Sequence, residues 1–184
     1  MMKEAVITYG IAHGRFQPFH LEHLNYVQSI MARCQVCVVA ITSPVPTERM
    51  FEETSSHRHL TKSNPYTFFE RAEMIRRSFL SLSVNTSNFT IVPLHLNDPA
   101  QWEQFLPPRD QSVFFVRVFS DWERKKIRLF QDNGYNVEQI DVGYRKCITA
   151  TDVRLAIKKG DNWKRLVPKG TCETIENLVR WEDR

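Results

Sequence analysis

An open α/β sheet, mainly parallel, with helices on both faces and built as a single domain, is the fold this sequence predicts, and three observations carry it. Short apolar runs alternate with stretches of helical period along the chain, in the order β-α-β-α-β-α-β-α-β-α. The opening is strand, loop, helix, strand, the signature of parallel strands joined by crossover helices. Finally, 184 residues with 42% hydrophobic content suffice for one well-packed core and are short for two.

Taken in order, Val6 to Ile11 is apolar and β-branched enough for a buried strand, and it runs into a loop at Gly14. Leu21 to Ala32 follows with Leu24, Val27, Ile30 and Met31 at helical spacing, and Gln35 to Ile41 (QVCVVAI) reads as the second strand. Thr42 to Tyr66 carries three prolines, many polar residues and no clear period, a connection of the length that serves more often as a functional lid than as idle linker. Thr67 to Phe79 is predicted helical: Thr67 and Glu70 have capping-box spacing, and Phe68, Ala72, Ile75 and Phe79 share one side. Phe89 to Pro93 is a strand and Pro99 to Leu106 a short helix. Ser112 to Phe119 (SVFFVRVF) is the most strand-like run, and Asp121 to Asp132 is a helix closed by Gly134. A last strand at Asn136 to Ile140 precedes helices at Thr151 to Lys159 and Cys172 to Arg180. The C-terminal helical segment, about 149–184, belongs to the same domain, which spans 1–184, and repeats and low-complexity tracts are absent.

The charge balance narrows the partners. With 25 basic against 21 acidic residues the formal charge is +4, which lacks the footprint of a dedicated nucleic-acid binder and leaves small anionic ligands open. No apolar run approaches the roughly 18 residues that cross a bilayer, and the start MMKEAVITYG lacks the basic-then-apolar pattern of a signal peptide. A soluble cytoplasmic protein without a membrane partner is expected. Four cysteines without dense spacing do not make a disulfide framework, in keeping with a reducing compartment.

Ligands of open α/β sheets bind beyond the carboxyl ends of the strands, near the point where strand order reverses, so the loop after the first strand is the place to look. Here that loop is GRFQPFHLEH, Gly14 to His23. Gly14 lets the backbone approach a ligand, and Pro18 stiffens the loop without needing an N–H donor. If a helix begins near His20, His20 and His23 share one side of its first turn, where free N–H groups and the positive dipole end also point. Two imidazoles, the Arg15 fork and a helix start make an anion pocket suited to a polyphosphate. The plainer alternative is surface histidines and a solvated arginine. Two histidines with no nearby third ligand do not make a closed zinc site, so no protein-held metal is expected. The six glycines, at 10, 14, 134, 143, 160 and 170, form neither a P-loop nor a G-x-G-x-x-G.

ITATDVR, Ile148 to Arg154, supplies a second constellation. Thr149 and Thr151 are possible N-caps and Arg154 lies on the first turn that they start, which makes either a second anion cradle or an ordinary cap beside a surface charge. Together the two cradles suit opposite ends of one triphosphate.

GRFQPFHLEH resembles the GRFQPFHxGH signature of the HxGH nucleotidyltransferases, and ITATDVR resembles their second motif, [IY]S[GSA]TxxR. NPYTFFER, Asn64 to Arg71, is similar to the NPFTxxER of archaeal-type nicotinamide-nucleotide adenylyltransferases, and KKGDNWKRLVPKGT, Lys158 to Thr171, resembles that group's NGExWxxLVP. These matches are collinear and span almost the whole chain. The resemblance implies a Rossmann-like fold and adenylyl transfer from ATP to nicotinamide mononucleotide (NMN), giving NAD and pyrophosphate by direct in-line attack. It implies that His20, His23 and Arg154 are catalytic on the ATP phosphates, and that Gly14, Arg15, Phe16, Gln17, Pro18, Thr149 and Thr151 bind ATP. Magnesium would neutralise the departing pyrophosphate. Arg71 would reach the phosphate of the mononucleotide, and Trp102 would stack on the nicotinamide ring unless it is simply a core aromatic. A homo-oligomer is also implied.

The chain departs from the pattern at Glu22, which replaces the glycine of HxGH. Pointed at the phosphates its carboxylate opposes binding; pointed outward from the first turn, as the geometry favours, it complements the dipole. Thr149 replaces the usual serine and keeps the hydroxyl, while Ser120, Asp121 and Trp122 stand where archaeal relatives have a glycine-containing, base-contacting turn. Outside the main site, Cys34 and Cys37 form a C-x-x-C best read as small buried thiols. His57, Arg58 and His59 could close over phosphates or be plain loop, Asp98 and Glu103 could touch substrate or face water, and His13 could line the site or pack beneath it. The alternatives to an NMN adenylyltransferase are a cytidylyl- or adenylyltransferase for another phosphorylated small molecule, and a non-catalytic nucleotide sensor spoiled by Glu22.

Overall fold

The computed structural model describes residues 7–48, 60–140 and 147–182. Five strands form one parallel sheet: β1 (Ile7–Gly14), β2 (Cys34–Thr42), β3 (Phe89–Leu94), β4 (Ser112–Arg117) and β5 (Asn136–Ile140). Their order is β3-β2-β1-β4-β5, the Rossmann-like arrangement that the resemblance implied. Order therefore reverses between β1 and β4, and the crevice at the carboxyl ends of those strands is the switch point.

Among the described residues five α-helices accompany the sheet: α1 (Leu21–Met31), α2 (Phe68–Ser81), α3 (Asp121–Asp132), α4 (Ala150–Lys159) and α5 (Lys169–Glu182). Each strand carries apolar residues on both faces because both faces are covered. Cys37, Val39 and Ile41 of β2 join one core with Leu24, Val27 and Ile30 of α1, Ile75 and Phe79 of α2 and Ile175 of α5. Val38 and Ala40 face the other way, into a second core with Phe114, Val116 and Phe130. Gly10 lets α1 lie directly on β1, since a Cβ there would stand 2.7 Å from Ile30. The short helix expected at Pro99–Leu106 is a 3-10 helix, Pro99–Gln104. No helix among the described residues is long and apolar enough to cross a membrane.

Most of the 42–66 connection lies outside the described residues, His57, Arg58 and His59 included. Short 3-10 turns at Pro46–Glu48 and Thr61–Ser63 flank that part.

Candidate active site

At the switch point β1 passes into α1 through GRFQPFH, and the loop is folded over its own aromatic residue. Phe16 takes a left-handed backbone (φ 52°) and turns its ring into the core, 5.6 Å from Phe19. A Cβ on Gly14 would stand 2.9 Å from that ring, so the glycine is required by the loop's own packing as well as by any ligand. Gln17 is 2% exposed, and its amide both donates to the Tyr66 carbonyl (2.8 Å) and accepts from the Tyr66 N–H (2.9 Å). Pro18 is buried after a cis peptide bond. Thus Phe16, Gln17 and Pro18 shape the loop with their side chains, and its backbone is what they position.

His20 is the N-cap of α1 and His23 sits three residues on, in the first turn. Their rings stack at 3.6 Å between centroids, and the His20 N–H points at Nδ1 of His23 at 3.4 Å. That contact makes Nδ1 the acceptor, so the neutral ring carries its proton on Nε2. Phe16 and Phe19 pack against His23 at 5.0 and 5.9 Å and fix the shelf from below. The predicted histidine pair is therefore built at the start of a helix, in the geometry that favours anions.

The second cradle reaches the same loop. Thr149 caps α4 in a reciprocal box with Asp152: its hydroxyl accepts from the Asp152 N–H (3.2 Å), while the carboxylate accepts from the Thr149 N–H (2.8 Å). Arg154 then donates Nη2–H to Thr151 Oγ1 (3.0 Å) and Nη1–H to the carbonyl of Gln17 (2.5 Å). Burial lowers the pKa of this half-buried guanidinium. Arg15 donates to Asn64 Oδ1 at 3.2 Å, so the NPY turn steadies the remaining cation. The structure thus brings Arg154, with Thr151, to the loop that carries Arg15 and leads into His20 and His23.

The two residues expected at the acceptor are both engaged within the fold. Arg71 is 2% exposed, and its guanidinium donates to the carbonyls of Thr67 (3.1 Å), Arg15 (2.9 Å), Thr42 (2.9 Å) and Ser43 (3.0 Å). It braces the loops after β1 and β2 instead of presenting itself to an acceptor phosphate. Trp102 is 1% exposed, donates Nε1–H to the His95 carbonyl (2.8 Å) and packs against Phe114, Phe130 and Tyr135. It is the core aromatic of the second cluster, and its face is unavailable for stacking on a ring from outside.

Glu22 also differs from expectation: it points neither at solvent nor at the histidine shelf. It is 6% exposed and faces Arg117 at the end of β4, Oε2 to Nη1 at 3.4 Å, while Nη2 donates to the Glu22 carbonyl at 3.2 Å. His13 is the residue that packs beneath, edge-on to Phe114 and Phe130. Asp98 accepts from Gln101 and Glu103 from Arg109, both at the surface. Cys34 and Cys37 are free thiols at the start of β2, the second of them buried. Sequence reasoning missed Asn64 and Arg117. A lone arginine closing the apolar run SVFFVR was the available signal for Arg117.

Among the described residues, no group of three or more His, Cys, Asp or Glu side chains is placed to hold a metal ion. No family model matches the chain. It is 33% identical to phosphonoformate cytidylyltransferase of Streptomyces viridochromogenes over 96% of this chain and 95% of that one. It is 32% identical to nicotinamide-nucleotide adenylyltransferase of Saccharolobus solfataricus over 90% of this chain and 88% of that one. Among solved structures it is similar to a bifunctional NMN adenylyltransferase/ADP ribose pyrophosphatase from Francisella tularensis, with a TM-score of 0.68 at 18% identity. That match takes in 97% of this chain and half the length of the Francisella chain.

Proposed function

The chain belongs to the nucleotidyltransferase family of these adenylyl- and cytidylyltransferases, and from that membership we infer that it transfers AMP from ATP to NMN, releasing pyrophosphate and forming NAD. The observation that carries the reading is the meeting of two motifs far apart in sequence, the stacked His20–His23 pair and Arg154, on one loop. In the reaction a phosphate oxygen of the mononucleotide attacks the α-phosphorus of ATP. The bond from that phosphorus to the bridging oxygen breaks, and pyrophosphate leaves with its electron pair. No covalent enzyme intermediate is needed, so the chain's contribution is positioning and charge stabilisation. Nε2–H of His23, the His20 ring and the helix start donate to phosphate oxygens whose charge grows as the bond breaks, and Arg15 and Arg154 hold the triphosphate. Magnesium enters as part of the metal–triphosphate substrate: a cationic cradle accepts that complex, with phosphate oxygens and water as the ion's ligands. The protein acts as a single domain over 1–184, cytoplasmic and homo-oligomeric.

The test follows NAD and pyrophosphate together in magnesium, ATP and NMN, with His20→Ala as control. Turnover should fall by about 10²–10³ in the variant. Binding of ATP without NAD formation would shift the reading to another acceptor. One observation favours a second reading: the identity to the Streptomyces cytidylyltransferase over nearly its whole length. Arg71 and Trp102, the residues expected at the acceptor, are buried, so the NMN reading rests on the motifs and the relatives. CTP with phosphonoformate is therefore the second pair to assay. Because Arg117 engages Glu22, the carboxylate does not oppose the phosphates, which supports an enzyme over a sensor.

A further inference from the structure

We propose that Arg117 is a positioning residue for nucleotidyl transfer: paired with Glu22, it fixes the first turn of α1 and so the angle at which the His20–His23 shelf meets the phosphates. The inference rests on the nucleotidyl-transfer reading and adds to it a residue that acts through another. Arg117 closes β4 at its carboxyl end, and its guanidinium donates Nη2–H to the backbone carbonyl of Glu22 (3.2 Å) and Nη1–H to the Glu22 carboxylate (3.4 Å). One planar fork thus holds both the backbone and the side chain of one residue, which sets the rotation of the turn as well as its place. Tyr26 follows Glu22 on the same side of α1, one turn on, and extends the seam. Its hydroxyl donates to the Phe115 carbonyl of β4 at 2.5 Å, and the Arg117 guanidinium lies over its ring at 4.7 Å.

Rotation matters because of where the histidines stand. Successive residues of a helix are about 100° apart around its axis, so a turn that aims Glu22 at β4 aims His23 away from it. The His23 ring accordingly lies against Phe16 and Phe19 of the GRFQPFH loop. His20, the N-cap, stacks on that ring at 3.6 Å and follows it. The buried apolar residues by which α1 packs into the core, Leu24, Val27 and Ile30, all lie beyond His23, and the Glu22 corner supplies the hold on the turn before them. A buried ion pair is a weak source of stability, because apolar side chains of similar volume replace it without loss. The side chains of Glu22 and Arg117 are only 8% and 10% exposed, so two charges kept out of water at this corner point to a geometric task. A misplacement of about 1 Å between reacting groups costs on the order of 100-fold in rate.

The deciding variant combines Glu22→Leu with Arg117→Met, which exchanges the pair for apolar side chains of similar volume. It should melt no lower than the wild type. Assayed with ATP and NMN, and with CTP and phosphonoformate, it should bind the magnesium–nucleotide within about threefold of the wild type while kcat falls about ten- to a hundredfold. A pair that only stabilised the fold would let kcat recover together with the melting temperature. Arg117→Lys keeps the charge without the fork, and its kcat should fall about tenfold. Nitrogen NMR of the imidazole rings adds a readout that needs no substrate. Wild-type His23 carries its neutral proton on Nε2, and in the double variant the two tautomers should mix. Wild-type kcat in the double variant or in Arg117→Lys, or a His23 ring signal that neither variant moves, overturns the proposal and leaves nucleotidyl transfer standing. If the wild type neither binds nor turns over either nucleotide, the transferase reading fails and takes this one with it.

Discussion

Arg71 donates to four carbonyls from three separate segments, so its chemistry is structural even though it stands in a family motif. Arg71→Lys replaces a planar five-donor fork by a point charge that cannot span those oxygens. About 2–4 kcal/mol of stability should be lost, and KM should rise for both substrates because the loops after β1 and β2 lose their brace. A contact to the acceptor phosphate would instead raise KM for the acceptor alone and leave the melting temperature in place. Thermal melts beside a two-substrate kinetic matrix separate the two roles. Trp102→Phe removes the bond to the His95 carbonyl and part of the packing on Phe114 and Phe130. It should lower stability by about 1–3 kcal/mol without touching acceptor KM.

At the scale of elements, α5 meets α2 backbone to backbone. A Cβ on Gly170 would stand 2.1 Å from the Ser78 nitrogen, in a contact seamed by Ser78 and Thr171 hydroxyls 3.3 Å apart. Gly170→Ala must splay the two helices, and chemical denaturation should show a loss of about 1–3 kcal/mol although alanine is the better helix former. That close approach also explains where reading the sequence fell short. The sequence predicts the last helix from Cys172, whereas α5 starts at Lys169 and takes in Gly170 where it meets α2. Elsewhere the elements were legible to within a few residues, since caps such as Thr67 with Glu70 and Ser120 with Glu123 are local signals. His20 and His23 were legible for the same reason: one helix turn sets their geometry. The destinations of Arg71, Trp102 and Glu22 were not, because each depends on groups brought near by the sheet, Glu22 and Arg117 being 95 residues apart.

At the scale of the whole molecule, His13 is a titratable group held in the wrong solvent. His13 lies near the end of β1, in the core on the α3 face, edge-on to Phe114 and Phe130 at 6.0 and 5.0 Å. Neither ring nitrogen has a hydrogen-bond partner among the described residues. Burial, with the Lys126 charge as a smaller cause, holds its pKa well below the usual value, so the native state keeps it neutral. The unfolded chain has no such restraint and takes up a proton near pH 6.5. Above that pH both states are neutral and His13 contributes no slope. Below it the unfolded state binds the extra proton, so stability falls with pH at up to about 1.4 kcal/mol per unit until the native pKa is reached. The carboxylates act in a different window: Arg76, with Arg77 beside it, holds Glu73 at about 2, so its share fades only as pH drops below the unfolded value near 4.5. Between pH 7 and 5.5 the histidine signal stands apart. His13→Phe keeps an edge-on aromatic and removes the titration, so its denaturation free energy should run flatter over that range than the wild type's. Parallel profiles for the two proteins would mean that His13 finds a partner for its proton inside the fold, and that acid sensitivity arises elsewhere.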